Sequence, residues 1–264
     1  MSGTALICGA SEGIGKAFAR RLAGRGMSLV LVARRSDPLE ALAASLRAEH
    51  RIDVRTIAVD LASPNLLDTL DPVLTDGLEM LVYNAASVEI APLLEQDPAR
   101  MDLCIAVNIS APMHLCRAVA PGMVARGHGS IVLMGSMSGL QGTAMVGTYA
   151  ATKAFIATFG ESLWEELRGT GVDVVVCQAG ATTTPGFLQA TPKDRQKQAF
   201  PMSPDAVAQA ALDGLGRGPV VVPGAMNKMV HAASRLLPRG TAVRLFSHAT
   251  RRLYEDPERD KEPG

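Results

Sequence analysis

The chain has no surplus of charge of either sign: 26 lysines and arginines balance 26 aspartates and glutamates. That balance gives no support to nucleic-acid binding, which needs a basic face for phosphates. Cysteine is sparse, and Cys8, Cys104, Cys116 and Cys177 lie far apart without a CxxC pair. In apolar surroundings they read as reduced thiols behaving as small hydrophobes. His50, His114, His128, His231 and His248 lack partners at metal-ligand spacing, so no metal site is expected. No apolar run reaches the roughly 18 to 20 residues of a spanning helix. The opening MSGTALIC carries neither the basic region nor the cleavage site of a secretion signal. A cytoplasmic protein without a transmembrane segment is the expectation. No internal repeat is visible.

What is present is a rhythm. Short apolar runs recur at Ala5–Ile7, Leu29–Val32, Val54–Val59, Met80–Val82, Ile131–Met134, Val172–Val176 and Val220–Val222. Between them lie segments of helical spacing, such as Ile14, Phe18 and Leu22. Strand alternating with helix implies a parallel sheet covered on both faces, and strands this uniformly apolar suit burial on two sides. The expected fold is a doubly wound α/β domain of about seven strands over residues 1–223. Residues 182–204 hold four prolines and read as a loop or lid. Residues 224–264 read as a C-terminal helical extension and tail, with Pro238 and Gly240 splitting two helices and a frayed end after Asp256. From Gly224 to Tyr254 this extension carries six lysines and arginines and no acid. Two readings stand: a solvated face of helices packed on the domain, or a contact for an acidic partner or membrane surface.

Directly after the first run come Gly9, Gly13 and Gly15, embedded in GASEGIG where a helix begins. Glycine there permits unusual dihedrals and lets backbone N–H groups of Ser11, Glu12, Gly13 and Ile14 approach a pyrophosphate at a helix N-terminus. In that context the glycines point to a dinucleotide. The second run ends at Arg34 and Arg35, where an NAD-selective site would offer an acid to the ribose 2′-hydroxyl. Arginines there favour the 2′-phosphate of NADP(H) over NAD(H).

Tyr149 and Lys153 are four residues apart, so a helix puts them on one face. A free tyrosine has a pKa near 10, and bringing it to neutrality takes roughly 4 kcal/mol. A cation about 4 Å away at an effective dielectric of 20 supplies that amount before desolvation is counted. Geometry thus permits a proton-transfer couple; taken alone the two would read as an ordinary surface pair, and it is the motifs around them that make the couple the expectation.

With CGASEGIG, YNAA at Tyr83–Ala86, Asn108, Ser136 and YAATK in this order, the chain resembles the short, single-domain branch of the short-chain dehydrogenase/reductase family over residues 4 to 223. The resemblance implies a Rossmann-type fold, a nicotinamide cofactor and hydride transfer between a carbonyl and an alcohol. It implies that Asp60 and Leu61 contact the adenine, that Asn84, Ala85 and Ala86 line the cofactor cleft, and that Gly180 and Thr184 meet the nicotinamide end. It also implies that Lys153 holds the ribose and that Asn108 fixes a water relaying protons to Lys153. Cys8, Ala86 and Ala179 depart from the usual threonine, glycine and proline. In the resulting mechanism Tyr149 protonates a carbonyl oxygen that Ser136 also hydrogen-bonds. Ser138 is a rival for that second role, and Ser136 is preferred because its thirteen-residue spacing to Tyr149 matches the family.

Met137, Gln141, Met145, Ala181, Phe187 and Leu188 are the expected substrate contacts. Most are apolar, which points to a lipophilic ketone or secondary alcohol, although Phe187 and Leu188 could equally pack the lid. Two other functions are compatible with the fold: a nucleotide-sugar epimerase or dehydratase, and a non-catalytic NADP-binding regulatory protein. The first usually needs an extra substrate domain, and the second has no use for all four of Tyr149, Lys153, Ser136 and Asn108. By analogy with the family, a homodimer or homotetramer would pair through helices near residues 100–126 and 148–168. Their Met101, Leu103, Ile105, Met113, Leu115, Phe155, Phe159, Leu163 and Trp164 could instead face the sheet.

Overall fold

The computed structural model describes residues Gly3–Glu255; the tail expected to fray after Asp256 lies outside the described residues. All seven expected strands are present: β1 (Thr4–Cys8), β2 (Ser28–Ala33), β3 (Val54–Ala58), β4 (Met80–Tyr83), β5 (Gly129–Ser136), β6 (Val172–Ala179) and β7 (Val220–Val221). They form one parallel sheet in the order β3-β2-β1-β4-β5-β6-β7. Between them run α1 (Gly13–Ala23), α2 (Ser36–His50), α3 (Leu66–Leu74), α4 (Pro98–Ile105), α5 (Ala111–Arg126), α6 (Gly147–Glu166), α7 (Pro185–Ala190) and α8 (Pro204–Gly214); α9 (Ala225–Leu236) and α10 (Arg239–Tyr254) follow.

Alternation along each strand divides the core in two. Ala5 and Ile7 of β1 and Leu29 and Leu31 of β2 meet Phe18 and Leu22 of α1, Leu42 and Leu46 of α2 and Val207 of α8. Leu6 and Cys8, with Val30 and Val32, point to the opposite face and meet Leu70 of α3, Leu115 and Val119 of α5 and Ile156 of α6. This double burial is why the strands read as unbroken apolar runs. The strand order reverses between β1 and β4, and in such sheets a crevice opens at the carboxyl ends of the two diverging strands.

Three details correct the expectations. The proline-rich segment 182–204 is not all loop: Thr184 caps α7, its Oγ1 accepting from Phe187 N at 3.3 Å, and Pro185 takes the first helical position. The split between the last two helices falls at Leu237–Pro238, whereas Gly240 lies inside the first turn of α10. The stretch Pro98–Arg126 is long and apolar enough on average to cross a membrane, although no run within it is unbroken. Leu115, Val119 and Met123 of that stretch belong to the core. Phe155, Phe159, Leu163 and Trp164 also pack against the core, whereas Ile105 is exposed.

Candidate active site

The glycine turn sits at the mouth of the crevice, and each glycine has a local reason. Gly9 and Gly13 have φ of 80° and 54°. A Cβ on Gly9 would lie 2.8 Å from the Ala85 backbone, one on Gly13 would lie 2.9 Å from Thr184 Cγ2, and one on Gly15 would lie 2.0 Å from Gly9 O. The side chain of Asn84 holds the same turn by donating from Nδ2 to Gly9 O at 3.0 Å. Helix α1 then starts at Gly13 without a side-chain cap and without an acid in its first turn. Its first N–H groups and the positive end of its dipole therefore suit an anion. The turn is a cradle that fits a dinucleotide pyrophosphate.

From this turn one cleft extends along the carboxyl edge of the sheet. It is lined by Ser11, Glu12, Gly13 and Ile14, by Arg34 and Arg35 after β2, and by Asp60 and Leu61 after β3. Asn84, Ala85 and Ala86 follow β4 into the same wall, and Gly180, Ala181 and Thr184 follow β6. Gly15 lies beneath the wall and not in it. Arg35 pairs with Glu12 at 2.7 Å, bridging the ends of the first two strands, while Arg34 is exposed at the edge. Of the three departures from the family pattern, Ala86 and Ala179 line the cleft, but Cys8 is buried in the core behind it.

Helix α6 brings Tyr149 and Lys153 into the cleft, and the end of β5 brings Ser136, Met137 and Ser138. Gly139 allows the close approach of these two elements, since a Cβ there would fall 2.7 Å from the Lys153 backbone. Lys153 is 4% exposed; its Nζ donates to Met134 O at 2.7 Å and lies 5.7 Å from the centre of the Tyr149 ring. The lysine thus touches the face of the ring, not an anion. Burial pushes the Tyr149 phenol up to about 12 against the downward pull of a hydrogen bond with Ser136; Tyr254 and Cys104 raise it further. The expected lowering by Lys153 is absent: burial dominates, and the downward pull comes from Ser136. Burial likewise brings Lys153 down to about 8, with a smaller opposing contribution from Cys104.

Asn108 stands behind the cleft and does not line it. It is buried in a π-turn, Ala106–Ser110, between α4 and α5. Its Oδ1 accepts from Ser87 N and its Nδ2 donates to Ser87 O, both at 2.8 Å; Nδ2 also reaches Thr152 Oγ1 at 3.0 Å. Thr152 in turn donates to Tyr149 O at 2.8 Å. Asn108 therefore clasps the loop after β4 and braces the helix that carries Tyr149 and Lys153.

At the far end of the cleft the expectations and the structure part. Met137, Ala181 and Phe187 line it; Gln141, Met145 and Leu188 do not. Gln141 is buried elsewhere, with neither amide atom hydrogen-bonded among the described residues. Met145 occupies a left-handed turn at φ 69° that leads into α6, and Leu188 faces outward on α7. Their places are taken by Val88, Ile90, Leu103 and Val146, and by Thr250, Leu253 and Tyr254 of α10. Helix α10 is fastened over the cleft by three bonds: Arg239 Nη1 to Leu140 O at 2.9 Å, Ala144 N to Ser247 Oγ at 3.0 Å, and Arg195 Nη1 to Glu255 O at 2.6 Å. The spacing of Phe246, Thr250 and Leu253 on one helical side was the available signal for that docking.

A glycine turn suited to a pyrophosphate therefore shares one cleft with a tyrosine, a lysine and a serine. The model of the short chain dehydrogenase family matches residues 3–195. The chain belongs to that family. This short-chain dehydrogenase is 31% identical over 228 residues to a 7β-hydroxysteroid dehydrogenase of Collinsella aerofaciens, an alignment covering 84% of this chain and 86% of that protein. A solved 7β-hydroxysteroid dehydrogenase structure superposes with a TM-score of 0.86 at 27% identity, covering 92% of this chain and 96% of the other. A short-chain dehydrogenase from Sphingobium yanoikuyae, solved in complex with NADPH, gives 0.75 at 32% identity, covering 89% and 94%. Like these relatives, the chain is an oxidoreductase of alcohol and carbonyl groups that uses a nicotinamide cofactor.

Proposed function

We propose that the chain interconverts a lipophilic ketone and its secondary alcohol with NADP(H), with Tyr149 as general acid and base. The observation that carries this reading is the single cleft joining the glycine turn to Tyr149, with an apolar far wall. The relatives named for hydroxysteroids add support for a bulky polycyclic substrate. Arg34 and Arg35 at the nucleotide end support NADP(H) over NAD(H).

When bound, the reduced nicotinamide supplies the hydride. Ser11 to Ile14 would hold its pyrophosphate, Arg34 the 2′-phosphate, and Lys153 and Thr184 the nicotinamide end. Tyr149, raised to about 12, is fully protonated at neutral pH and gives its proton to the carbonyl oxygen. That transfer is downhill because an alkoxide is a far stronger base than a phenolate. Ser136 donates a hydrogen bond to the same oxygen as charge develops there. Lys153, at about 8, keeps most of its charge at neutral pH, stabilises the tyrosinate left behind and can return the proton. Asn108 and Thr152 hold that helix in register. Alcohol oxidation needs the deprotonated tyrosine, so its rate should rise toward alkaline pH while ketone reduction is favoured at neutral pH.

The test is NADPH consumption across a panel of hydrophobic and sugar-like carbonyls, repeated with NADH. Turnover of bulky apolar ketones with NADPH is expected; a preference for sugars, or for NADH, would overturn the assignment. The chain is further read as a cytoplasmic homo-oligomer, with exposed Ile105 and Val124 on the α4–α5 segment as candidate contacts.

A further inference from the structure

We propose that the outer side of α9, the corner after it and the outer side of α10 form a docking surface for an anionic lipid membrane. The chain is neutral overall, yet Gly224 to Tyr254 holds Lys228, Arg235, Arg239, Arg244, Arg251 and Arg252 without one acid, leaving the remainder net acidic. Among the described residues, Arg251 is the one member of this set in an ion pair, with Glu255.

The apolar side chains here lie on the wrong side for a solvated helix. Asn227, Val230, His231 and Ser234 of α9 turn toward the body. Met226, Met229, Ala233 and Leu236 recur at i, i+3, i+7 and i+10 on the outer side, with Met229 60% and Leu236 87% exposed. Lys228 and Arg235 run along one border of that stripe. The corner Arg235-Leu236-Leu237-Pro238-Arg239 is exposed throughout, so two leucines sit between two arginines. On α10 the inner side packs on the domain and lines the cleft, while Arg244, Leu245, His248, Arg251 and Arg252 face outward.

An apolar stripe bordered by cations, with no acid among them, is the pattern of a helix lying at a bilayer surface. Charge selects the occupant. A second copy would set six like charges against six, whereas an anionic bilayer offers phosphates to the cations and a fluid apolar layer to methionine and leucine at any register. The inference does not depend on the substrate or on the cofactor preference.

The experiment is sedimentation of the full chain with vesicles of phosphatidylcholine and phosphatidylserine, against vesicles of phosphatidylcholine alone. Binding to the anionic vesicles only, weakening with salt, is expected. Arg235→Glu with Arg244→Glu should bind at least about 30-fold more weakly, roughly fivefold for each cation lost before the repulsion of the two new carboxylates. Met229→Ser with Leu236→Ser should also weaken binding, and both pairs should keep wild-type NADPH turnover in vesicle-free buffer. Absence of binding, equal binding to both vesicles, or no effect of charge reversal would overturn the proposal. So would a dimer in vesicle-free buffer that the two serine substitutions dissociate, since that would make a second copy the occupant.

Discussion

At one end of the cleft Gly9 and Gly13, with Gly15 beneath them, leave no room for a side chain; at the other, Val146, Leu253 and Tyr254 fill space with side chains brought from distant parts of the chain. The glycine turn at the nucleotide end is made of backbone and a helix terminus, and the rest of that end follows within a few residues of β2, β3 and β4. The substrate end is made of packing, and it exists only once α7 and α10 have docked. Holding a pyrophosphate thus needs a fixed backbone, while a selective task can be met by whichever side chains the outer helices deliver. Tyr149, Lys153 and Ser136 stand at the seam.

The largest effect is expected at that seam. Tyr149→Phe should lower turnover on the order of 10²- to 10⁴-fold with nucleotide affinity unchanged, because only the proton is lost. Single-turnover reduction with nucleotide titration checks it, and wild-type reduction by the variant would remove Tyr149 from the chemistry.

Lys153→Met should separate function from stability. Lys153 holds a pKa of about 8 in the fold against 10.5 when free, so the unfolded chain binds the proton more readily. Below pH 8 this costs the fold about 3 kcal/mol, and the cost fades as pH rises from about 8 to 10.5. The variant should therefore be inactive, yet more stable at pH 7 by roughly 1–3 kcal/mol once the lost bond to Met134 O is counted. Its advantage should shrink in alkaline denaturant melts.

Arg34→Ala probes the nucleotide end alone. Losing a charge-assisted bond should raise the KM for NADPH roughly 10- to 100-fold and leave that for NADH almost unchanged. Equal effects on the two would dissolve the assignment. Tyr254→Ala probes the other end and should have the smallest effect. The KM for a bulky ketone should shift roughly fivefold, about 1 kcal/mol, while NADPH binding stays as in the wild type. A loss of NADPH binding in that variant would mean that the two ends are not separable.

The same contrast explains what could be read from residue order. All seven strands and the glycine turn were legible because two-sided burial and tight turns restrict residue types locally. The Tyr149–Lys153 pair was legible because helical spacing alone puts the two on one face. Their pKa shifts were not, since the balance between a neighbouring cation and burial depends on the finished interior. Gln141 and Met145 were misplaced because nearness to Tyr149 in sequence does not set orientation: one turns into the protein and the other makes a turn. Helix α7 was missed because prolines were read as breakers, although a threonine followed by Pro185 is also how a helix begins. Tyr254 was out of reach, since its place depends on α10 docking through bonds to Leu140, Ala144 and Arg195.

The bond from Asn84 Nδ2 to Gly9 O spans 75 positions of the chain. It forms only after β4 has come back beside β1, across a large loop whose closure is entropically slow. Until then the glycine turn is held only from the β2 side, where the N–H groups of Gly9 and Ala10 donate to Val32 O, and Gly9 O has no clamp. A nucleotide in the cleft should therefore favour the completed sheet, and its binding after dilution from denaturant should report the joining of the two halves.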